Sequence, residues 1–228
     1  YSVMLNEGNG IPFNKSEAVK YSKISADNGN ALSMTNYAKA CFYGETIPVN
    51  KKEAAKYMKM AAYEGDPEGE FCYTEMIRTR DGFEYDYDEM MKFLKRAADH
   101  GHPGAMTNYS NELSNKNGPF HINREEIYYY KKAADKGVPL AACQYAIIKT
   151  GFIKGSEPDL KEAFKYFKIA ADLGDPHGTL IYGLFLKKGV FVPSNKELGE
   201  KYIKMGKQYA SLDSRYLFSI EFFEWLEK

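Results

Sequence analysis

Three cysteines and four histidines are the side chains in this 228-residue sequence best suited to bind a metal or to act as nucleophiles. Cys41, Cys72 and Cys143 stand apart from one another, without the CxxC or histidine-rich spacing of a metal site. Their odd number leaves at least one of them unpaired. We therefore expect buried or half-buried free thiols in a reducing compartment, which favours a cytoplasmic location.

The histidines and one acidic run offer little more for metal chemistry. His100 and His102 flank Gly101, but no third ligand follows at a recognised spacing. The acidic run at residues 81–89 lacks the regular alternation of ligands that calcium loops use. We find no nucleophile elbow, phosphate loop or Ser/His/Asp set. The expectation is no catalytic residue, no metal and no cofactor, and thus a protein that is not an enzyme.

Lysines form the one chemically active group with a regular spacing. One row is Lys23, Lys59, Lys95, Lys131, Lys168 and Lys204, and a second, one turn earlier, is Lys20, Lys56, Lys92, Lys165 and Lys201. Such rows predict either a basic stripe that docks an acidic partner or anionic lipid surface, or a solvated face. In the second case, pairs such as Glu53–Lys56 contribute ~0.2–0.5 kcal/mol each. The balance of 31 Lys+Arg against 31 Asp+Glu favours the solvated face and argues against nucleic-acid binding.

Aromatic and turn residues also recur, at intervals of about 36 residues with one step of about 37. The first aromatic series is Tyr21, Tyr57, Phe93, Tyr129, Tyr166 and Tyr202. The second is Tyr1, Tyr37, Tyr73, Tyr109, Tyr145, Tyr182 and Phe218. The turn series is Gly29, Gly65, Gly101, Gly137, Gly174 and Ala210. Three series that keep step along the whole chain predict a single repeat array over residues 1–228.

Each repeat predicts two helices joined by a short loop. The second helix begins at an Asn or Asp, whose side-chain oxygen can accept from the free amides of the first turn. These N-caps are Asn14, Asn50, Asp86, Asn123, Asp159 and Asn195. Small residues such as Gly69, Gly178, Ala61, Ala133 and Ala170 recur where helix axes must approach to ~8–10 Å. In the fourth copy the cap lies one residue later, so we expect a helix that is shortened or shifted at its start.

The pattern formed by Ala38, Gly44, Asn50, Ala54, Tyr57, Ala61, Ala62 and Gly65 resembles the Sel-1-like repeat (SLR), a tetratricopeptide-like family. The similarity covers the whole chain, as about six copies and the first helix of a seventh. It implies an all-α, right-handed α-solenoid (superhelix) of stacked helix-turn-helix hairpins. It also implies a protein that organises others, often within a larger polypeptide. A secreted subgroup with paired cysteines that acts on β-lactams is a poor match, because those pairs are missing.

In such a solenoid, variable positions on the first helices line a concave groove. Counting from the second aromatic series, we expect the positions at −1, +2 and +3 to face outward there. The candidate partner-binding residues are Asn36, Lys39, Cys72, Glu75, Asn108, Asn111, Glu112, Gln144 and Ile148. Their mixed chemistry suits a bound protein or peptide segment. An ordinary polar helix surface is the alternative, and the lysine stripe is a competing binding surface.

Two functional classes stay open. The favoured one is a non-enzymatic protein–protein interaction scaffold or adaptor. The alternative is a regulatory repeat module that controls a catalytic domain, such as a kinase or a ubiquitin-ligase complex, elsewhere in a longer protein. The chain begins inside the aromatic series and without Met, so we expect a fragment whose targeting signals lie elsewhere. No apolar run reaches the ~18 residues of a membrane span.

The predicted last helix is unusually aromatic. It carries Phe218, Phe222, Phe223 and Trp225 with no following helix to cover them. Uncapped ends of a solenoid expose apolar stacking surface. We expect these rings to fold back on the sixth repeat or to contact another chain, so self-association through repeat ends is possible.

Overall fold

The structure, a computed structural model, describes residues 14–117, 122–151, 153 and 155–209. Every regular element in these ranges is an α-helix, which confirms the predicted all-α class. The eleven helices are α1 (Lys15–Asp27), α2 (Ala31–Tyr43), α3 (Lys51–Tyr63), α4 (Pro67–Thr79), α5 (Tyr87–Asp99), α6 (Pro103–Asn117), α7 (Arg124–Asp135), α8 (Pro139–Lys149), α9 (Leu160–Asp172), α10 (Pro176–Lys188) and α11 (Lys196–Tyr209). The predicted contacts of the four C-terminal aromatics fall outside the described residues.

The helices pack as hairpins in two compact units, Tyr1–Ala105 and Met106–Lys228. In the N-terminal unit each helix from α1 to α5 packs on the next, and in the C-terminal unit the same holds from α7 to α11. Even-numbered helices are the first helices of the repeats, and odd-numbered helices are the second. This succession of neighbours is the packing of an α-solenoid. The right-handed path and the single array over residues 1–228 stay predictions.

All six predicted N-caps are present. In each, the side-chain oxygen accepts a hydrogen bond from the backbone amide three residues later, at 2.9–3.1 Å. Asn123 and Glu126 form the complete reciprocal capping box. That helix, α7, has 12 residues where α9 has 13, as expected from its later cap. Local chemistry of the first turn therefore determines where the second helices begin.

The first helices are capped too, which the sequence analysis did not predict. The caps with a carboxylate or amide are Asn30, Asp66 and Asp175, which accept from the amides of Ser33, Gly69 and Gly178. Asp66 also accepts a hydrogen bond from the Thr35 hydroxyl at 2.7 Å. Because Thr35 lies on α2 and Asp66 precedes α4, this cap also joins two successive first helices.

Small residues set the distance between the helices. A Cβ atom at Gly178 would lie 2.4 Å from Ala170 Cβ, and one at Gly69 would lie 2.8 Å from Ala61 Cβ. Non-bonded carbon atoms have their optimal separation near 3.5–4.0 Å, so even a methyl group at these glycines would push the helices apart. Ala61 and Ala170 are fully buried. The predicted role of the small positions is confirmed.

The two aromatic series meet in the core. Tyr37 and Tyr57 pack edge to face with 4.9 Å between ring centroids, and the Tyr37 hydroxyl donates to Glu53 at 2.9 Å. The equivalent set in the C-terminal unit is Tyr145, Tyr166 and Glu162. The expected Glu53–Lys56 pair is wrong, because the Glu53 carboxylate accepts from the tyrosine of the preceding helix instead.

The lysine row links successive second helices. Lys23 Nζ lies 3.0 Å from Asp27 Oδ2 and 3.1 Å from the Tyr57 hydroxyl, and that hydroxyl donates to Asp27. The hydrogen bond to Asp27, followed by that to Tyr57, raises the pKa of Lys23. The same Lys-Asp-Tyr link joins α7 to α9 through Lys131, Asp135 and Tyr166. At these two places the lysine therefore has structural partners. It is neither unpaired, as in a basic docking stripe, nor simply solvated.

One repeat has a ring contact in the place of this link. At the position equivalent to Asp27 stands Tyr63, and at the position equivalent to Tyr57 stands Phe93. The two rings pack with 5.0 Å between centroids. The acceptor and the donor have changed together, and the Tyr63 hydroxyl donates to Glu89 at 3.1 Å instead.

Changing Ala170 to Leu should overpack the contact with Gly178. Inserting bulk into a well-packed core typically costs ~1–3 kcal/mol, and we expect a loss of this size in the free energy of unfolding. Urea unfolding followed by circular dichroism measures it. The matched control is Lys165→Leu, an exposed position on the same helix, for which we expect no more than about 0.5 kcal/mol. Equal effects would contradict the close-packing argument.

Changing Tyr166 to Phe should remove the Lys-Asp-Tyr link between α7 and α9, at a cost of about 0.5–1.5 kcal/mol near neutral pH. Burial acts to raise the pKa of Asp135, but hydrogen bonds from Lys131 and Tyr166 outweigh it and hold that pKa below its ordinary value of 3.8. Such a carboxyl stabilises the fold above its unfolded pKa and loses this contribution as the pH falls through the folded pKa.

The unaltered chain should therefore lose more stability than Tyr166→Phe between about pH 6 and about pH 2. Urea titrations at both pH values test this. Tyr128→Phe, at a half-exposed ring on α7, is the control and should follow the unaltered chain. A Tyr166→Phe variant whose pH dependence also matches the unaltered chain would exclude the link as a source of stability.

Candidate functional site

The predicted groove residues lie on the four first helices α2, α4, α6 and α8. Eight of the nine are half-buried, so part of each side chain reaches the surface: Asn36, Lys39, Cys72, Glu75, Asn108, Asn111, Glu112 and Gln144. The predicted outward position of Ile148 is wrong, because this side chain is only 2% exposed. Ile148 lies three residues after the buried Tyr145, and residues three apart share one helix face. It therefore belongs to the core.

Two of the predicted residues join a row of polar side chains that crosses the first helices of the N-terminal unit. Lys39 Nζ on α2 lies 2.5 Å from Glu68 Oε1 on α4. The other carboxylate oxygen of Glu68 lies 2.9 Å from Nε2 of His102, which directly precedes α6. Cys72 Sγ lies 3.6 Å from Glu68 Oε1. We name Lys39, Glu68 and His102, together with Cys72 and Phe71, the first-helix row.

Two hydrogen bonds indicate the tautomer of His102. Its Nδ1 accepts a hydrogen bond from the Ala105 amide at 3.1 Å, so the imidazole is the N-cap of α6. An accepting Nδ1 leaves Nε2 as the protonated nitrogen, and Nε2 donates to Glu68. The ring also stacks on Phe71, with 4.3 Å between centroids and an angle of 21° between planes. Packing and hydrogen bonds thus hold this side chain in one orientation.

The electrostatics of the row suit binding rather than nucleophilic chemistry. Burial acts to raise the pKa of Glu68, but the hydrogen bond and charge of Lys39 outweigh it and hold that pKa below its usual range. Glu68 is therefore a carboxylate at neutral pH. Burial raises the pKa of Cys72 to about 12, so this sulfur is a thiol at neutral pH. A protonated thiol is neither a nucleophile nor a metal ligand.

Sequence reasoning missed Glu68, Phe71 and the role of His102. His102 occupies the position of the caps Asn30, Asp66 and Asp175 in other repeats. That equivalence was a usable signal, since a neutral imidazole nitrogen can accept a hydrogen bond as a carboxylate does. Glu68 carried no comparable signal, because a single Glu in a first turn is ordinary helix chemistry.

A second departure from the repeat lies in the core of the same unit. Glu70 on α4 is completely buried, and Arg96 of α5 and His100, directly after that helix, each lie 2.8 Å from one of its carboxylate oxygens. At the equivalent positions in neighbouring first helices the chain has Met34 and Met106. A buried carboxylate with two cationic or donor partners thus replaces an apolar residue, and it joins α4 to α5 by charge.

In the C-terminal unit, one predicted residue has a direct contact with the core. Asn111 accepts a hydrogen bond from the buried Tyr130 hydroxyl at 2.7 Å. The three cysteines are free thiols, with Cys41 and Cys143 buried and Cys72 half-buried, as expected. Among the described residues, no three His, Cys, Asp or Glu side chains are placed to hold a metal ion. None of the described helices combines the length and apolar character needed to span a bilayer.

Comparison with protein families identifies the Sel1 repeat. A sequence profile of the Sel1 repeat matches residues 1–30, 31–66, 80–102, 127–138 and 139–175, which together are more than half of the chain. A comparison with curated protein sequences found no match. Of the first-helix row, the matched segments include Lys39 and His102. Glu68, Phe71 and Cys72 lie between two matched segments.

Solved structures share the fold. A Sel1 repeat protein from Oxalobacter formigenes is 24% identical with a TM-score of 0.74, over 92% of this chain and 85% of that one. A protective antigen of uropathogenic Escherichia coli with an SLR fold is 20% identical with a TM-score of 0.76, over 91% of this chain. This chain matches 44% of the length of that antigen. An immunity protein from Pseudomonas aeruginosa is 17% identical, with a TM-score of 0.51, over 87% and 74% of the two chains.

Changing Arg96 to Met should leave the buried Glu70 carboxylate with one partner fewer. Removing one member of a buried ion pair costs roughly 3 kcal/mol, and we expect a loss of that order in chemical unfolding. The double variant Glu70→Met/Arg96→Met copies Met34 and Met60, the residues at the equivalent positions of the preceding hairpin. It should recover most of the lost stability. A double variant as unstable as the single one would contradict this interpretation.

Proposed function

Because the chain belongs to the Sel1 repeat family, we propose that it is a non-enzymatic interaction scaffold or adaptor that binds a partner segment along its first helices. Sel1 repeats are in general protein–protein interaction modules. The observation that supports this function here is the first-helix row, in which Lys39, Glu68 and His102 come from three successive repeats and meet on one face.

The row offers the partner a defined set of groups. The Lys39 and Glu68 side chains remain 35% and 41% exposed, so each has hydrogen-bonding capacity left for a partner. Packed helices lie ~8–10 Å apart, and an extended peptide rises about 3.3 Å per residue. Every third residue of an extended segment would therefore meet the next first helix. The proposed ligand is a segment with polar or charged side chains at this spacing.

A scaffold needs no reactive group, and the row supplies none in an activated form. The Cys72 thiol has its pKa raised by burial, and the charge of Lys39 is paired with Glu68. The polar side chains of this face are already held in place, so binding would need to order them little further. Such preorganisation lowers the entropy lost on association.

Photo-crosslinking identifies the binding surface. A benzophenone amino acid at Asn36 on α2 or at Glu75 on α4 should capture a partner from cell extract, and the same group at Lys52 on α3 should not. The captured peptide is then identified by mass spectrometry. If it comes from a longer polypeptide that contains this chain, the face serves the alternative, regulatory function. Capture only from Lys52 would move the binding surface to the second helices.

Charge reversal tests the contribution of the row. Lys39→Glu should lower the affinity for the captured partner by about tenfold, which corresponds to ~1.4 kcal/mol. The reason is that it places a carboxylate beside Glu68. The matched control Lys52→Glu reverses an exposed charge on α3 and should leave the affinity unchanged. Because Lys39→Glu also removes the ion pair with Glu68, we expect it to be the less stable of the two variants, and circular dichroism checks that both are folded at the titration temperature. Isothermal titration with the purified partner peptide measures the affinities, and an unchanged Kd for Lys39→Glu would refute the proposal.

A further inference from the structure

A cavity of about 710 Å³ lies in the C-terminal unit, between helix α9 and the loop that joins α10 to α11. Two aromatic rings, Phe164 and Phe191, form its apolar wall, and Lys161, Lys165 and Lys168 line it from α9. The cavity lies on a second helix and a loop, not on the first-helix row. We propose that it is a separate docking site for an acidic peptide segment of a protein partner, with an apolar side chain of the peptide placed against the two rings.

Phe191 is the residue that points to a ligand. In three other repeats the equivalent loop position is Gly10, Gly82 or Gly118, and in the second copy it is Thr46. Phe191 keeps the backbone conformation of such a glycine, with φ of 64° against 85° at Gly82. A bulky residue is disfavoured at positive φ, and residues held in such conformations cluster at ligand-binding sites.

The fold itself gains little from the Phe191 ring, because the residue is 52% exposed. A large aromatic residue therefore stands in a disfavoured conformation with half of its surface in water. Phe164, opposite, packs against the core rings of Tyr182 and Phe185 at 5.4 and 5.7 Å between centroids. One wall of the cavity is thus anchored in the core, and the other is an exposed ring that a bound side chain would cover.

The charge of the lining selects an acidic ligand. Both carboxylates at the cavity already have partners: Asp159 caps α9, and Glu162 binds the Tyr145 hydroxyl and pairs with Lys149 at 3.2 Å. Lys168 is paired with Asp172 at 2.6 Å. The capping hydrogen bond leaves Asp159 its charge, so the three lysines and two carboxylates of the lining sum to +1, and the lysines without an ion pair among the described residues are Lys161 and Lys165.

Lys161 and Lys165 form no ion pair with any residue that the structure describes, and both are exposed. Four residues apart on a helix, they are separated by about 6 Å along its axis. Alternate side chains of an extended peptide are about 6.8 Å apart, so two acidic residues on one side of a peptide match this spacing. Two lysines around a concave apolar cavity fit a peptide better than a flat anionic bilayer, which favours a broad basic surface.

Fluorescein-labelled heptapeptides test the site. Four peptides carry glutamates around a central Phe, Tyr, Trp or Leu, and a fifth carries Ser at the centre. We expect fluorescence polarisation to show saturable binding of at least one of the four, and weaker binding of the Ser peptide. Failure of all four to bind would overturn the proposal. Binding to phosphatidylserine vesicles in the absence of peptide binding would also overturn it, in favour of a lipid surface.

Two variants locate the binding. The double variant Lys161→Glu/Lys165→Glu should lower the affinity for the peptide by about tenfold or more. The matched control Lys201→Glu/Lys207→Glu reverses two exposed charges on α11 and should have no effect. Equal losses from both double variants would show a general charge effect and contradict a site at the cavity.

Phe191→Gly separates a binding role of the ring from a structural one. Glycine accepts the positive φ at no steric cost, so the thermal unfolding midpoint should stay unchanged or rise, while peptide affinity falls by about tenfold. A variant that binds as well as the unaltered chain, or one that unfolds at a lower temperature, would refute the inference. The first-helix crosslinks at Asn36 and Glu75 should be unaffected by this change, so the two proposals fail independently.

Discussion

The close approach of helices at glycine and alanine positions is the constraint on which the rest of the structure depends. Because Gly178 leaves space for Ala170, and Gly69 for Ala61, the helix backbones come near enough for large residues beside them to interlock. The tyrosine rings of the core then lie about 5 Å apart, and the Tyr37 hydroxyl reaches a carboxylate on the next helix. An added methyl group at either glycine would push the helices apart and so disturb all of these contacts, because protein interiors are close-packed.

Within each unit, repeats also contact one another through their second helices, but with changing chemistry. The Lys-Asp-Tyr link joins α1 to α3 and α7 to α9, and the Tyr63–Phe93 ring contact stands at the equivalent place between α3 and α5. In a repeat array the stability is close to a sum of repeat and nearest-neighbour terms. One interface can therefore have a ring contact where another has an ion pair, or the buried Glu70 where another has methionine. Adjacent interfaces keep their own contacts.

What remains after these structural demands is the surface available for recognition. Several lysines that recur in step with the repeat have structural partners, so regular spacing alone does not mark a binding surface. The residues that we propose for binding depart from the repeat, such as Glu68 and His102 in one unit and Phe191 in the other. Each carries a polar group or ring that packing only partly covers. In a scaffold of repeated parts, such departures allow one face to recognise one partner.

The sequence by itself determined the repeat, the two helices of each copy, their starts and the positions of closest approach. These features depend on chemistry within one or two helical turns, such as an Asn side chain and the amide three residues on, and the periodic copies reinforce one another. The tertiary structure decided which side chains meet across repeats. Lys23 binds Tyr57 of the next second helix, Glu68 meets His102, and Ile148 faces the core. These outcomes depend on the rotation of each helix about its axis against neighbours some 30 residues away, and no local pattern specifies that rotation.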